Sequence, residues 1–443
     1  MTASFSQVMI FLVIGIAVIV FLTARFKVHA FFALLIACFV VGLGLQMPVT
    51  DIIATSKDGF GSIMKSLGFI IVLGTTLGVV LQHTGSTAVI AGFISRKTGS
   101  RFAALAMSVT GFVAGLPVFC DSGYMVLSGL NNSMAKRTGT PVIIMSVSLA
   151  TGLYSVHCLI PPHPGATAAA VTIGVDFGKL ILTGIIIAIP AMLIGNWWAN
   201  YAGKKMPAIA QQEEEKNLQP AQLPSLFGAL LPIIVPIVLI AIKSFLSTTT
   251  SNVSMLVNLF AALGDPVIAL SAGIVLAFAA GRSWTKENIS KLLSESAEKA
   301  GGILVIIGAG GAFGAILAAA KIGQHFSESV ALGSMGLLFP FLITSILKTA
   351  QGSSTVAIIT AASIVQPLLP ALGLNTPNGH LLCVLSMGAG SMMLSHANDA
   401  YFWVIAKFSG IDMKSMLKVY TVSSALMGLV TLLMVWIASL LLL

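Results

Sequence analysis

The stretch "GLPVFCDSGYMVLSGL", residues 115–130, places a carboxylate inside a long apolar region. Asp121 is followed by Ser122 and Gly123, and Pro117 comes just before them. A charged side chain at the centre of a membrane helix costs about 2.5–3.5 kcal/mol on insertion scales. Unpaired backbone is tolerated at membrane depth only inside protein or beside water. The stretch therefore predicts the polar tip of a re-entrant hairpin that enters and leaves the membrane on the same side.

The composition places this tip in a membrane protein. Of the 443 residues, 57% are hydrophobic and only 8% are charged, whereas soluble domains are about 25% charged. Repeated apolar runs near the ~20-residue spanning length predict an all-α polytopic membrane protein. The net charge of +9 is interpreted as Lys and Arg of cytoplasmic loops rather than as a nucleic-acid surface.

The composition and motifs also argue against cofactors and metals. The four cysteines lie in apolar segments and form no CxxC pair, so neither a metal site nor a disulfide framework is indicated. The glycine run "GAGGAFG" (308–314) loosely matches a dinucleotide fingerprint, but it lies within a predicted span. There it predicts close helix packing instead. No cofactor is expected.

The two halves of the chain resemble each other at a nearly constant offset. Segment 27–45 matches 264–282, 65–78 matches 299–312, and 121–126 matches 352–357. We therefore predict two repeats, residues 1–203 and 226–443, joined by a polar cytoplasmic linker at 204–225. Each repeat is predicted to contain five membrane crossings and one hairpin, and one of its spans is broken. The hairpins are predicted at 100–136 and 332–370, and the broken helices at 141–174 and 379–406.

An odd number of crossings inverts the second repeat relative to the first, as in transporters built from inverted repeats. With both termini outside the cytoplasm, most Lys and Arg residues fall in predicted cytoplasmic segments, in agreement with the positive-inside rule. This orientation predicts that the first hairpin opens on the cytoplasmic side and the second on the outer side.

Four polar clusters interrupt the apolar helices and are predicted to line one aqueous cavity near the membrane midplane. They consist of two hairpin tips and two helix breaks. The candidate binding residues are Asp121, Ser122 and Gly123 (first tip), His157 and His163 (first break), Lys348, Gln351, Gly352, Ser353, Ser354 and Thr355 (second tip), and Asn398 with Asp399 (second break). Helices that begin after the tips direct amide donors at the cavity. With the hydroxyl groups and Lys348, this predicts a small organic anion such as a hydroxylated carboxylate.

Each of these residues also has a purely structural interpretation. Asp121 could only cap the second hairpin helix, and His157 could be an interior histidine with satisfied hydrogen bonds. Lys348 could extend its amine to the outer surface.

Asp399 is the first candidate from the sequence for the residue that carries a coupling proton, with Asp121 and then His163 as alternatives. Asp121 lies at a helix start, where amide groups suit it to capping or to accepting a substrate hydroxyl. Asp399 is not predicted to lie at a helix start, so no capping interaction with amide groups is expected for its carboxylate. Sodium coupling stays open, because carbonyls at unwound helix segments could hold Na⁺.

Several motifs resemble a known family. "VHCLIPPHPGA" (156–166), "GAGGAFGAIL" (308–317), "QGSSTVAIITAASIVQPLLP" (351–370) and "NDAYFWV" (398–404) resemble the gluconate permease family, the GntP-type proton symporters of the ion transporter superfamily. The resemblance covers essentially the whole chain. It implies a multi-pass protein of the bacterial inner membrane that imports gluconate or a related sugar acid with protons.

The resemblance carries further implications. It implies an elevator-like movement of a domain that holds both hairpins and both broken helices, on a homodimeric scaffold. Some relatives carry D-serine. Gluconate permeases often have Glu-Val-Gly where this chain has Asp121-Ser122-Gly123, so the particular substrate stays open.

Two other function classes are a passive channel and an integral-membrane enzyme. The paired interruptions in the two halves favour a transporter over both. The sequence contains no nucleotide-binding or metal-ligand motif and no catalytic triad by spacing that would support an enzyme.

Overall fold

The computed structural model describes residues 5–98, 102–206, 223–249, 255–281, 284–320, 335–396 and 399–442. Within these ranges the secondary structure is helical, with no strand. The helices of the first half are α1 Phe5–Ala24, α2 Ala30–Gly44, α3 Val49–His83, α4 Ser86–Thr98, α5 Ala103–Gly115, α6 Cys120–Thr138, α7 Val142–Leu159, α8 Pro164–Ile173 and α9 Phe177–Gly203.

The helices of the second half begin at Leu226. Its helices are α10 Leu226–Thr249, α11 Met255–Leu263, α12 Pro266–Ala280, α13 Lys286–Ala319, α14 Leu338–Gln351, α15 Ser354–Val365, α16 Pro377–Met392, α17 Ala400–Ser409 and α18 Met413–Leu442. Helices α2 and α12 are 236 residues apart at both ends, and so are α8 and α17. The spacing of helices thus recurs between the halves.

Six helical segments in the described part of the chain are long and apolar enough to cross a membrane. They are Val49–His83, Val142–Ile173, Phe177–Gly203, Leu226–Ser244, Lys286–Ala319 and Met413–Leu442. Several shorter apolar helices accompany them, including the hairpin helices α5 and α15.

The long helices α3 and α13 differ from the sequence prediction. The apolar run at about 62–83, which follows a short amphipathic stretch, predicts a span of that length, but Val49–His83 is one continuous helix of 35 residues. No proline follows Pro48 in this segment, so nothing breaks the backbone hydrogen bonds. Its counterpart Lys286–Ala319 is also continuous, over 34 residues, and the Thr285 side chain caps its start. The polar residues of the sequence mark where the apolar part of each helix begins, but not where the helix itself begins.

Some predicted boundaries lie outside the described residues. These are most of the predicted linker, at 207–222, and the predicted hairpin starts at 100–101 and 332–334.

Glycines bring α3 and α13 into close contact. A Cβ atom at Gly59 would lie 2.5 Å from the carbonyl oxygen of Gly311, and one at Gly308 would lie 2.4 Å from the Phe60 ring. The prediction that the run 308–314 packs helices is therefore confirmed. Gly310 and Gly314 face α15, where their nearest neighbours are Ile359 and Ser363.

The hairpins and broken helices pack on one another. Helix α5 packs along α7, α15 along α8, α6 against α17, and α14 along α16. Of these elements, α8 packs against α3 and α13, α15 packs against α13, and residues of α13 line one cavity together with the polar tips and breaks.

Candidate functional site

A cavity of about 570 Å³ lies where the hairpin tips meet the helix breaks. Nine of the predicted residues line it: Asp121, Ser122, His157, Gln351, Gly352, Ser353, Ser354, Thr355 and Asp399. The sequence prediction that tips and breaks from both halves share one cavity is therefore matched by their placement. Asn398 lies outside the described residues.

Four helices begin at this cavity. Helix α6 begins at Cys120, α8 at Pro164, α15 at Ser354 and α17 at Ala400, and each of these residues lines the cavity. The first amide groups of a helix have no partner within it, and its N-terminus carries about half a positive elementary charge. The arrangement therefore directs four positive dipole ends at the same space.

The first tip contributes the Asp121 carboxylate and the Ser122 hydroxyl group. Asp121 is not the cap of α6, because Phe119 occupies the N-cap position and makes no side-chain cap bond. The interpretation of Asp121 as only a helix cap is therefore wrong. Its described contact is the Cys120 thiol, with Sγ 3.9 Å from Oδ1. Gly123 does not line the cavity, since it faces the Leu153 side chain.

The second tip and the second break are joined by a buried ion pair. Lys348 Nζ donates to Asp399 Oδ2 at 2.6 Å and to the Gly352 carbonyl oxygen at 2.7 Å. Lys348 is fully buried and does not line the cavity, so the interpretation that its amine extends to the surface is wrong.

Asp399 also differs from its prediction. It is the N-cap of α17 and accepts a hydrogen bond from the Tyr401 amide at 3.0 Å, while the Ser395 hydroxyl donates to its other oxygen. The expectation that the Asp399 carboxylate makes no capping interaction is therefore wrong. The second helix break ends immediately before α17, so Asp399 occupies the N-cap position of that helix. Asp121 does not occupy the N-cap position of α6.

The two histidines of the first break lie one behind the other, with their ring centroids 4.9 Å apart in an edge-on arrangement. His157, near the end of α7, lines the cavity, whereas His163 lies behind it and is 1% exposed. Their Nδ1 atoms are 3.3 Å apart, and His163 Nε2 lies 2.8 Å from the Gly115 carbonyl oxygen. His163 was expected among the cavity-lining residues. Its position as the N-cap of α8, with Pro164 following, turns its ring toward α5 instead.

Gln351 and the serines of the second tip supply neutral polar groups. Gly352, with φ +82°, ends α14 in a left-handed turn, and the Ser353 hydroxyl caps α15 by accepting from the Val356 amide. Neither the Nε2 nor the Oε1 atom of Gln351 has a hydrogen-bond partner among the described residues, although both are buried. An unsatisfied buried amide is costly, so Gln351 is suited to bind a polar ligand group.

The cavity also has apolar and aromatic walls, whose residues are not among those predicted from the sequence. They are formed by Phe119, Tyr154, Ile303, Ile306 and Tyr401, and Lys299 adds a charged side chain to the cavity wall. Tyr154 precedes His157 by three residues, which places both on one helix face, so this neighbour was accessible to sequence reasoning. Lys299, paired with Glu295 at 2.7 Å, comes from α13 and is far in sequence from every cluster.

Comparison with known proteins identifies the family. The profile described as GntP family permease matches residues 7–441. This chain belongs to the GntP permease family. This GntP permease is 33% identical to a gluconate permease of Pseudomonas aeruginosa, over 97% of this chain and 96% of that protein. It is 30% identical to the D-serine transporter DsdX of Escherichia coli, over 95% and 96% of the two chains.

The fold has a counterpart among solved structures. The YdaH transporter of Alcanivorax borkumensis superposes with a TM-score of 0.62, at 18% identity, over 88% of this chain and 89% of that one. Its similarity supports the fold alone. Together with the six apolar helices, the family assignment identifies this GntP permease as an integral membrane protein.

Proposed function

We propose that this protein is a secondary active transporter that imports gluconate or a related small hydroxy-carboxylate together with protons, by alternating access. The observation that carries the proposal is the convergence of four helix N-termini on one polar cavity. Amide donors and positive dipole ends favour a carboxylate, while Ser122, Ser354 and Gln351 suit the hydroxyl groups of a sugar acid.

The charges of the cavity support coupling to a proton at Asp121. Lys348 already neutralises Asp399, whereas Asp121 has no ion-pair partner among the described residues. An ionised Asp121 would repel an anion in the same cavity, and a proton bound there removes the repulsion. We therefore rank Asp121 above Asp399 as the proton carrier, and His163, buried behind His157, below both.

A second cavity supports alternating access. It measures about 400 Å³ and is lined by Asp58, Ser62, Ser66, Thr172, Ser363 and Gln366, among others. Helices α8 and α15 reach the first cavity at their starts and the second near their ends. Between the two cavities lies an apolar barrier, formed by Leu67, Ile71, Ala168, Ala300, Ile307 and Ile359.

In the proposed transport cycle, the hairpins and broken helices slide past α3 and α13, and the binding site passes the apolar barrier. Lysines 286, 291 and 299 lie on the first half of α13, so by the positive-inside rule the first cavity faces the cytoplasm. The inverted repeat, termini outside the cytoplasm, location in a bacterial inner membrane and homodimeric scaffold remain part of this proposal, and they rest on the sequence.

Uptake by proteoliposomes tests the function. We expect a pH jump, acid outside, to drive accumulation of gluconate or glycerate without sodium. Accumulation that needs a sodium gradient would contradict proton coupling, and uptake that only equilibrates under every gradient would indicate a passive channel.

A second candidate is D-serine or a similar amino acid. Its ammonium group would find an unpaired carboxylate in Asp121, and its carboxylate would face the same helix N-termini. Competition between labelled gluconate and unlabelled D-serine separates the two candidates, because the preferred substrate displaces the other at lower concentration.

Cysteine labelling should locate the cavity. In a background with Cys38, Cys120, Cys158 and Cys383 replaced by alanine, we expect Ser122→Cys and Ser354→Cys to react with a water-soluble thiol reagent, and substrate to slow the reaction. Thr360→Cys is the control, because Thr360 lies on α15 with Ser354 but is fully buried. Unreactive cysteines at both 122 and 354 would contradict the cavity.

A disulfide should arrest the proposed movement. An ideal Cβ at Gly314 lies 3.2 Å from the Ser363 Cβ, close to the spacing of about 3.5–4.5 Å in disulfides. We expect the oxidised Gly314→Cys/Ser363→Cys variant to lose uptake at least about tenfold, and reductant to restore it, because the bond ties α13 to α15.

The matched control pair is Gly228→Cys/Ala280→Cys, where the corresponding distance is 3.6 Å. It joins α10 to α12, outside the hairpins and broken helices, and should form without loss of uptake. Full uptake by the oxidised 314–363 pair would refute a sliding movement at this contact.

A further inference from the structure

The His157–His163 pair determines its own hydrogen positions. His163 Nε2 lies 2.8 Å from the Gly115 carbonyl oxygen, and a carbonyl oxygen can only accept, so this nitrogen carries a hydrogen. A neutral imidazole has one N–H. In the neutral ring, His163 Nδ1 is therefore a lone-pair acceptor.

The tautomer of His157 follows from its neighbour. The two Nδ1 atoms are 3.3 Å apart, and a hydrogen bond between them needs one hydrogen, which His163 cannot supply. His157 Nδ1 therefore carries it, and His157 Nε2 is left with a lone pair. This is the nitrogen that contacts Thr355 of the second tip.

No ion pair in the described part of the chain involves either ring. An unpaired charge is costly to bury, so both rings are expected to be neutral. Tyr154 stacks on His157 with an interplanar angle of 15°, and Phe119 packs on His163. These rings hold the pair in place without offering a charge.

The exposed lone pair has room for another donor. Thr355 Oγ1 is 3.5 Å from His157 Nε2, which is the outer limit of a hydrogen bond. Both residues line the cavity. The nitrogen is thus an acceptor at the cavity wall that the protein itself satisfies poorly.

We propose that His157 Nε2 accepts a hydrogen bond from a hydroxyl group of the substrate, and that His163 is a positioning residue that holds His157 in the required tautomer. The proposal rests on the proposed transport of a hydroxy-carboxylate and assigns the recognition of one hydroxyl. A substrate lacking that hydroxyl leaves the acceptor unpaired, so discrimination of roughly 10- to 100-fold is expected.

The tautomer can be measured directly. In the full-length protein in nanodiscs, labelled with ¹⁵N-histidine, we expect one neutral ring with hydrogen on Nδ1, and this signal should be missing in His157→Gln. In His163→Met the Nδ1 acceptor is gone, and His157 should no longer be held in the Nδ1–H form. His380→Gln, a substitution outside the cavity, should leave the His157 signal unchanged.

Transport gives the second readout. Unlabelled gluconate and its monodeoxy analogues are compared as competitors of labelled gluconate uptake. We expect wild type to disfavour at least one analogue by roughly 10- to 100-fold, and His163→Met to reduce that preference by raising the KM for gluconate but not for the analogue. His163→Gln, whose amide can still donate to Gly115 and accept from His157, should retain most of the preference.

The outcomes separate the two proposals. A hydrogen on His157 Nε2 in wild type, or an unchanged deoxy preference in folded His163→Met, would overturn the assignment of His157 while leaving transport intact. Failure of the wild type to take up any hydroxy acid would overturn the proposed function and this inference together.

Discussion

Replacing Lys348 by methionine is expected to destabilise the folded protein by about 3–5 kcal/mol, because Asp399 is then left as an unpaired buried charge. The ion pair at 2.6 Å is almost entirely shielded from solvent. The double variant Lys348→Met/Asp399→Asn should recover most of the loss, since asparagine is neutral and still caps α17. Unfolding of the detergent-solubilised protein by denaturant measures both changes.

The matched control is Lys243→Met. Lys243 pairs with Asp265 at 3.3 Å, but both side chains are more than a third exposed, and such surface pairs contribute about 0–1 kcal/mol. A loss from Lys348→Met as small as that from Lys243→Met would contradict the role of the buried pair. So would a double variant that is no more stable than the single one.

The Asp121→Asn variant is expected to bind gluconate with an affinity independent of pH and to lose accumulation driven by a pH gradient. In wild type, affinity should weaken by about tenfold per pH unit once Asp121 is ionised, because one proton then has to bind with each anion. Two like charges about 4 Å apart at an effective dielectric constant near 20 repel by about 4 kcal/mol, or roughly a thousandfold in affinity. Binding titrations across pH and uptake in proteoliposomes measure the two effects.

Exchange of labelled for unlabelled substrate should persist in Asp121→Asn, because it needs no net proton movement. Asp58→Asn is the control, since Asp58 is a carboxylate of the second cavity and should leave the pH dependence unchanged. If Asp121→Asn accumulates substrate normally under a pH gradient, the proton carrier is another group, with Asp399 and then His163 to be tested.

The helical interruptions were predictable because they depend on local chemistry. Two successive prolines follow the end of α7, and glycine with serine follows the end of α14, so these two helix ends could be predicted from the residues alone. That the helical interruptions form one cavity followed from the cost of leaving polar groups in lipid.

The partners of the charged residues could not be predicted in the same way. Lys348 and Asp399 are 51 residues apart, and their pairing depends on how α14 packs beside the second break. His163 and Gly115 are 48 residues apart, and only the folded hairpin brings them together. Sequence reasoning therefore named nine of the residues that line the cavity, but it assigned the helix-capping role to the wrong aspartate.

The apolar barrier between the two cavities has an electrical consequence. On α13 the cavities come within five residues of each other, at Ile306 and Gly311, and on α15 within four, at Ile359 and Ser363, which is about 6–8 Å of helix. Water in the cavities screens the transmembrane voltage far better than packed isoleucine and leucine side chains do. The transmembrane electric field is therefore concentrated in this thin layer. Moving one elementary charge across the membrane changes its energy by about 2.3 kcal/mol per 100 mV, and most of this change occurs within the few ångströms of the layer.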